Sequence, residues 1–136
     1  MKQRIVLDTN CLVQIVAKQA RYGFVWNDIL YGETILCVTT EILFEYEEIL
    51  TKFYGRNVAK MVVEMILILP QTEKYDIYYH WKLITEDPDD NKFVDCAVIS
   101  GAKYLVSDDK HFNILSKISF PQIEVLKLAE FAETIK

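Results

Sequence analysis

The sequence predicts a three-layer α/β/α fold around a central, mostly parallel sheet, and three observations lead there. Short runs rich in β-branched residues alternate with segments of helical period, the pattern of a parallel sheet with helices on both faces. Of the 136 residues, 51 % are hydrophobic, enough for one domain with a sizeable core and too many for a disordered chain. Acidic residues, among them Asp8, Asp90 and Asp109, stand where strands end or helices begin. In an open α/β sheet such junctions share one edge, the edge at which ligands bind.

Taken in order, Gln3–Leu7 reads as a buried strand and Asn10–Lys18 as a helix that begins right after it. Phe24–Leu30 reads as a second helix stopped by Gly32, and Thr34–Val38 as a strand. Thr39 or Thr40 is a good N-cap for the next helix, which runs to about Tyr54 and ends at Gly55. Asn57–Leu69 reads as an apolar helix, with strand character near Leu67–Leu69 and a stop at Pro70. Tyr75–Ile84 is open between helix and strand, and its aromatic residues (Tyr75, Tyr78, Tyr79, Trp81) favour strand. After the turn-rich EDPDDN, Asp90 or Asn91 opens a helix to about Ser100, with Gly101 near its C-cap. Tyr104–Ser107 follows as a strand, Lys110–Ser116 as a short helix, Ile123–Leu126 as the last strand and Leu128–Ile135 as the last helix. No repeat or linker divides residues 1–136, so a single domain is expected.

Composition narrows the function. The richest apolar run, MVVEMILILP, is short and carries Glu64, so no membrane span is expected. The N-terminus reads directly into a strand with no signal-peptide core, and a cytoplasmic location follows as the expectation. Cys11, Cys37 and Cys96 lie in apolar settings without CxxC spacing and read as reduced core thiols. His80 and His111 are isolated, and no HExxH or Cys/His grouping points to zinc. A net charge of −5 argues against a strongly basic nucleic-acid-binding module, while leaving room for a nuclease whose bound cations offset it. Lys18, Arg21, Lys52, Arg56 and Lys60 read as ordinary solvated surface.

Converging carboxylates repel one another and stay ionised chiefly when a divalent cation neutralises them. Asp8 follows an apolar strand, where an aspartate serves equally well as a helix N-cap. On the helix that follows Thr39, Ile42, Leu43, Tyr46, Ile49, Leu50 and Phe53 define the buried stripe, and Glu45 and Glu47 lie on its two borders. Geometry leaves that pair open, with Glu41 and Glu48 further into solvent. Asp90 sits at the first turn of its helix, pointing to the proposed edge. Asp95 lies about 140° round the same helix, which makes it an exposed or helix-pairing carboxylate and at most a supporting group. Asp87 and Asp89 suit turn chemistry around Pro88. Of Asp108 and Asp109, one is expected to cap the short helix and the other to face the site, with Ser107 placed to donate a hydrogen bond to a carboxylate. His111 reads as structural or exposed.

IVLDTN, TTEILFEYEEIL and DPDDNKFVDCAVISGAKYLVSDDKHF, in that order and with a closing strand and helix, resemble the PIN domain superfamily of metal-dependent nucleases. Within it the chain looks most like the toxin components of bacterial toxin–antitoxin pairs. The resemblance spans nearly the whole chain. It implies a PIN-like fold and an acidic quartet of Asp8, Glu45, Asp90 and Asp109, with Glu45 preferred over Glu47 by register. Asp8, Asp90 and Asp109 would hold Mg²⁺ or Mn²⁺, with Thr9, Asn10 and Ser107 in support. It also implies hydrolysis of single-stranded RNA, a cognate antitoxin and a homodimer. The chain departs from the family in the strongly aromatic segment before DPDDNKF, which bears on substrate preference. A haloacid-dehalogenase-like phosphatase would need an acid where Asn10 stands. A non-catalytic RNA- or partner-binding module is the other rival, as is a housekeeping RNA-processing nuclease.

Overall fold

The computed structural model describes residues 2–136. Five strands form one parallel sheet: β1 (Gln3–Leu7), β2 (Thr34–Val38), β3 (Glu73–Lys74), β4 (Tyr104–Val106) and β5 (Val125–Leu126), in the spatial order β3-β2-β1-β4-β5. The helices are α1 (Thr9–Val16), α2 (Gly23–Tyr31), α3 (Thr40–Tyr54), α4 (Arg56–Ile68), α5 (Asn91–Ser100) and α6 (Leu128–Thr134), with 3-10 segments at Pro88–Asp90 and Lys110–Lys117. From β1 the chain moves outward to β2 and β3, then returns through α5 to β4 on the other side. Right-handed crossovers place the outward and returning connections on opposite faces, giving three layers.

This reversal makes the gap between β1 and β4 a topological switch point, where a crevice opens beyond the carboxyl ends of the strands. Register brings distant residues together there. Val6 pairs with Leu105 and Leu7 with Val106, and the Asp8 N–H still donates to the Val106 carbonyl at 3.0 Å. Asp8 therefore stands opposite Ser107.

Local signals explain most element ends. Thr39 caps α3, its hydroxyl accepting from the Ile42 N–H at 3.2 Å. Gly101 ends α5 in the left-handed region at φ 65°, and the Ala102 N–H then reaches back to the Ala97 carbonyl at 3.2 Å. The core packs both faces of β1, β2 and β4, with Tyr46, Phe93, Phe112 and Phe131 fully buried. The three cysteines are buried and free.

The structure corrects several expectations. Leu67 and Ile68 continue α4, with no strand there. Phe53 is 63 % exposed and not part of the buried stripe; at that end of α3 it is Tyr54 that packs on the core, its hydroxyl donating to the Val13 carbonyl at 2.7 Å. The segment Lys110–Lys117 is 3-10 in type, and the last strand is only Val125–Leu126. The largest difference is Tyr75–Ile84, which is neither helix nor strand. The sheet pairing of β3 ends when the Tyr75 N–H meets the Val38 carbonyl, because β2 stops at Val38. Beyond it the chain is an irregular strap whose backbone groups are met by side chains of α5.

Candidate active site

Each acidic residue reaches the switch point on a different element. Asp8 follows β1 as the N-cap of α1, but its side chain makes no capping bond. Its backbone carbonyl accepts from the Cys11 and Leu12 N–H groups instead, which leaves the carboxylate free. That carboxylate is nearly buried, 6 % exposed, and accepts a hydrogen bond from the Ser107 hydroxyl at 2.7 Å. Burial pushes its pKa up, and the nearby charges of Glu45 and Asp109 push it further, against the pull of the Ser107 hydroxyl.

Glu45 is placed by its neighbour. The Tyr46 hydroxyl is buried and donates to the Leu7 carbonyl at 2.5 Å, pinning α3 against the end of β1. Glu45 then faces the crevice, where one carboxylate oxygen accepts from the Thr9 hydroxyl and the other from Lys92 Nζ at 2.7 Å. Glu47 is exposed on α3. Of the two glutamates that helix geometry left open, Glu45 is thus the one at the crevice.

Asp90 is the N-cap of α5, again without a side-chain cap. Burial raises its pKa to about 6, with further contributions from the charges of Asp87, Asp109 and Asp8, while the contact with His111 opposes the rise. Asp109 caps the 3-10 helix Lys110–Lys117 by accepting from the His111 N–H at 2.9 Å, and its own N–H donates to Ser107 Oγ at 3.0 Å. One aspartate therefore both caps and faces the site. Asp108 turns away, its carboxylate accepting from the Leu128 N–H at the start of α6.

The structure thus brings Asp8, Glu45, Asp90 and Asp109 to one edge, with Thr9 and Ser107 hydrogen-bonded among them. Asn10 is exposed and is not tied into that network. Asp95, expected to be an exposed or helix-pairing carboxylate, is 3 % exposed and turned to the strap. It accepts from the Trp81 N–H at 3.0 Å and lies 3.0 Å from His80 Nδ1. The strap, rather than solvent or another helix, covers this face of α5.

Two basic side chains, neither assigned to the site from the sequence, stand at it. Lys92 Nζ joins Glu45 and the Asp89 carbonyl, 2.8 Å away, with a side chain only 11 % exposed. Its Glu45 partner is 47 positions away, and no local pattern announces it. His111 is not a detached surface histidine. Its Nδ1 lies 3.2 Å from Asp90 and 3.4 Å from Asp109, and its Nε2 lies 3.4 Å from Glu86. The Asp90 contact leads the effects that raise its pKa, and burial opposes them. Asp87 caps the Pro88–Asp90 turn through the Asp89 N–H, as its sequence context suggests. It also brings a carboxylate oxygen within 4.8 Å of ligand atoms of Asp90 and His111.

A family model described as PIN domain matches residues 4–111, from β1 through the Asp109–His111 turn. The chain belongs to the PIN domain family. Solved PIN-type structures share its fold. VapBC2 from Rickettsia felis, crystallised with a DNA fragment from its promoter, superposes with a TM-score of 0.63 at 16 % identity, over 91 % of this chain and 98 % of that one. VapC20 from Mycobacterium tuberculosis, described as a sarcin-ricin loop cleaving toxin, gives 0.61 at 13 % identity, over 80 % and 92 %. The PIN domain endonuclease Utp24 gives 0.54 at 16 % identity, over 91 % and 84 %. No curated protein sequence matches the chain significantly. At these identities the likeness is one of fold.

PIN domains are generally metal-dependent nucleases, and the donor set of this one fits a divalent ion. Carboxylate oxygens are the ligands that Mg²⁺ and Mn²⁺ prefer. The raised pKa values of Asp8 and Asp90 reflect burial and mutual repulsion that a bound cation would relieve.

Proposed function

We propose that this PIN domain is a Mg²⁺- or Mn²⁺-dependent endoribonuclease that hydrolyses phosphodiester bonds of single-stranded RNA, acting in the cytoplasm as the toxin of a toxin–antitoxin pair. The observation that carries the reading is the convergence of Asp8, Glu45, Asp90 and Asp109, from four separate elements, on the switch point of a PIN fold. Asp8, Asp90 and Asp109 are the proposed metal ligands, and Glu45 completes the catalytic group. A divalent ion held there would lower the pKa of water and stabilise charge on the phosphoryl oxygens.

The chain's own groups have separable roles in this scheme. Ser107 fixes Asp8 and Thr9 fixes Glu45, so that neither carboxylate swings away when charge is added nearby. Lys92 balances Glu45 and supplies a cation at the rim for a phosphate oxygen. In the reaction a water oxygen forms a bond to phosphorus, the P–O bond to the leaving ribose breaks, and the water proton ends on the leaving oxygen.

A partner surface fits the toxin reading. The α3–α4 hairpin carries five large apolar side chains that are at least half exposed, Phe44, Phe53, Met61, Leu67 and Ile68, apolar surface of the kind that association covers. We assign this face to homodimer formation. Several similar structures are VapBC assemblies, which supports an antitoxin as a second partner.

The test is cleavage of a labelled single-stranded RNA by purified protein with Mg²⁺ or Mn²⁺, with an EDTA control. Cleavage that stops with EDTA and is absent in Asp8→Asn supports the reading. Equal activity in Asp8→Asn, Asp90→Asn and Asp109→Asn, with contaminating nuclease excluded, removes it in favour of a binding module. A monomeric mass at micromolar concentration removes the homodimer.

A further inference from the structure

Outside the carboxylate site, the least expected surface is a row of aromatic rings that the sheet does not need. Tyr79 and Trp81 meet edge to face with centroids 4.9 Å apart. Trp81 meets Phe120 in the same way at 5.8 Å. The outer members are open to solvent, Tyr79 at 65 % and Phe120 at 79 % exposure. Two rings come from the strap and one from the loop between the 3-10 helix and β5, so only the folded chain assembles the row. Large apolar side chains scattered singly on a surface are ordinary, whereas a contiguous group marks an interaction site.

The strap that carries the rings is held in place. Asn91 and Asp95 lie four residues apart and hence on one side of α5. Asn91 meets both the N–H and the carbonyl of Ile84 at 2.9 Å, in the manner of a strand partner. Asp95 receives the Trp81 N–H. Burying a carboxylate for this purpose is costly unless donors satisfy it, and here they fix the rings rather than leaving them on a free loop.

The same strap leads into the site. Past Ile84 it reaches Glu86, which touches His111, and Asp87, which joins the Asp90–His111 group. Glu86 lies five positions after Trp81, a reach of at most about 18 Å. A groove of about 460 Å³ opens beside the strap, lined by His80, Lys82, Ile84, Thr85, Pro88 and Asn91 among others.

We infer that Tyr79, Trp81 and Phe120 form a base-stacking platform that holds unpaired bases of a single-stranded RNA whose backbone runs on into the carboxylate site, an inference that rests on the nuclease reading above. Every base has a π-face, so aromatic rings take single strands with little regard to sequence. A duplex keeps those faces stacked internally and offers none to the platform. Continuity with the site favours a nucleic-acid strand over a protein partner. The cations next to the rings along the chain are Lys82 on the strap and Lys117 three residues before Phe120. Stacking rather than phosphate neutralisation therefore carries the affinity, and the salt dependence is shallow.

The experiment uses the full chain in EDTA, where no cleavage occurs. A fluorescein-labelled RNA without self-complementarity is compared with an abasic ribose-phosphate oligomer of equal length, by anisotropy at low and high salt. Tyr79→Ser and Phe120→Ser should each weaken RNA binding about tenfold, Tyr79→Phe should bind as the parent does, and the abasic oligomer should bind weakly to all. In W26F, which leaves Trp81 as the one tryptophan, bound bases should quench its emission. This arm keeps the inference testable if a ring variant fails to fold. Unchanged affinity in both serine variants, tight abasic binding or an unquenched Trp81 would overturn it. So would a drop in molecular mass at unchanged RNA affinity, which would make the rings a protein contact. RNA held by the rings without cleavage in Mg²⁺ or Mn²⁺ would sink the nuclease reading alone. Cleavage with full affinity in the ring variants would sink the platform alone.

Discussion

Asp8 and Asp95 are buried almost equally, at 6 % and 3 % exposure, yet their surroundings differ in kind. Asp95 faces donors, a backbone N–H and an imidazole, and its two oxygens hold the strap onto α5. Asp8 has one hydroxyl partner, and the charges of Glu45 and Asp109 work against its ionisation. A buried carboxylate met by donors is part of the frame. A buried carboxylate surrounded by others of its own sign is poised for a cation. Burial alone does not separate the two roles; the charge of the neighbours does.

The largest expected effect tests that contrast directly. Asp8→Asn should lower RNA cleavage by about 10³-fold, since it removes a charge from the ion's ligand set at nearly constant shape. The metal-free variant should melt no lower than the parent at pH 7, as measured by circular dichroism, because a repelled buried charge is gone. A clear loss of stability would place Asp8 with Asp95 in the frame. Asp95→Asn should cleave RNA at close to the parent rate.

Glu45→Gln should reduce cleavage by about 10²-fold, with Glu47→Gln near the parent rate in the same assay. The opposite ranking would show that α3 presents its other border to the substrate.

Asp95→Ala should act on stability. It strands the Trp81 N–H and should cost about 1–3 kcal/mol, read as a lowered denaturant midpoint at constant m-value. Retention of Tm would mean that the strap is held by its rings and by Asn91 alone.

The smallest effect is a pH dependence. The Asp90 pKa of about 6 in the folded protein lies above its ordinary value of 3.8, so between those values the folded state holds a proton that the unfolded state has released. Metal-free stability should therefore fall as pH rises from about 4 to about 6 and stay lower above that. The raised Asp8 carboxyl acts in the same direction. Mn²⁺ should raise Tm more at pH 7.5 than at pH 5, where protons compete for the ligands. An equal gain at both values would place the ion away from Asp8 and Asp90.

The sheet was legible because its signals are local. β1, β2 and α3 follow from apolar runs, a threonine cap and a glycine stop, each within a few residues. The strap was not legible, because Tyr75–Ile84 has aromatic residues that favour a strand but finds no strand to pair with once β2 ends at Val38. Its partners are two side chains of a later helix, which no propensity encodes.

By itself the sequence determined the order of most elements, the parallel sheet and the positions of Asp8, Asp90 and Asp109 at element junctions, since period, caps and turns act between near neighbours; it did not announce the short strand Glu73–Lys74. Only the tertiary structure decided which charges meet. Ser107 reaches Asp8 across 99 positions, Lys92 reaches Glu45 across 47, and His111 enters between Asp90 and Asp109. Those choices depend on strand register and on Tyr46 seating α3 against β1. Electrostatic and hydrogen-bonding energies depend on distance in space, and until the sheet closes the chain does not fix those distances.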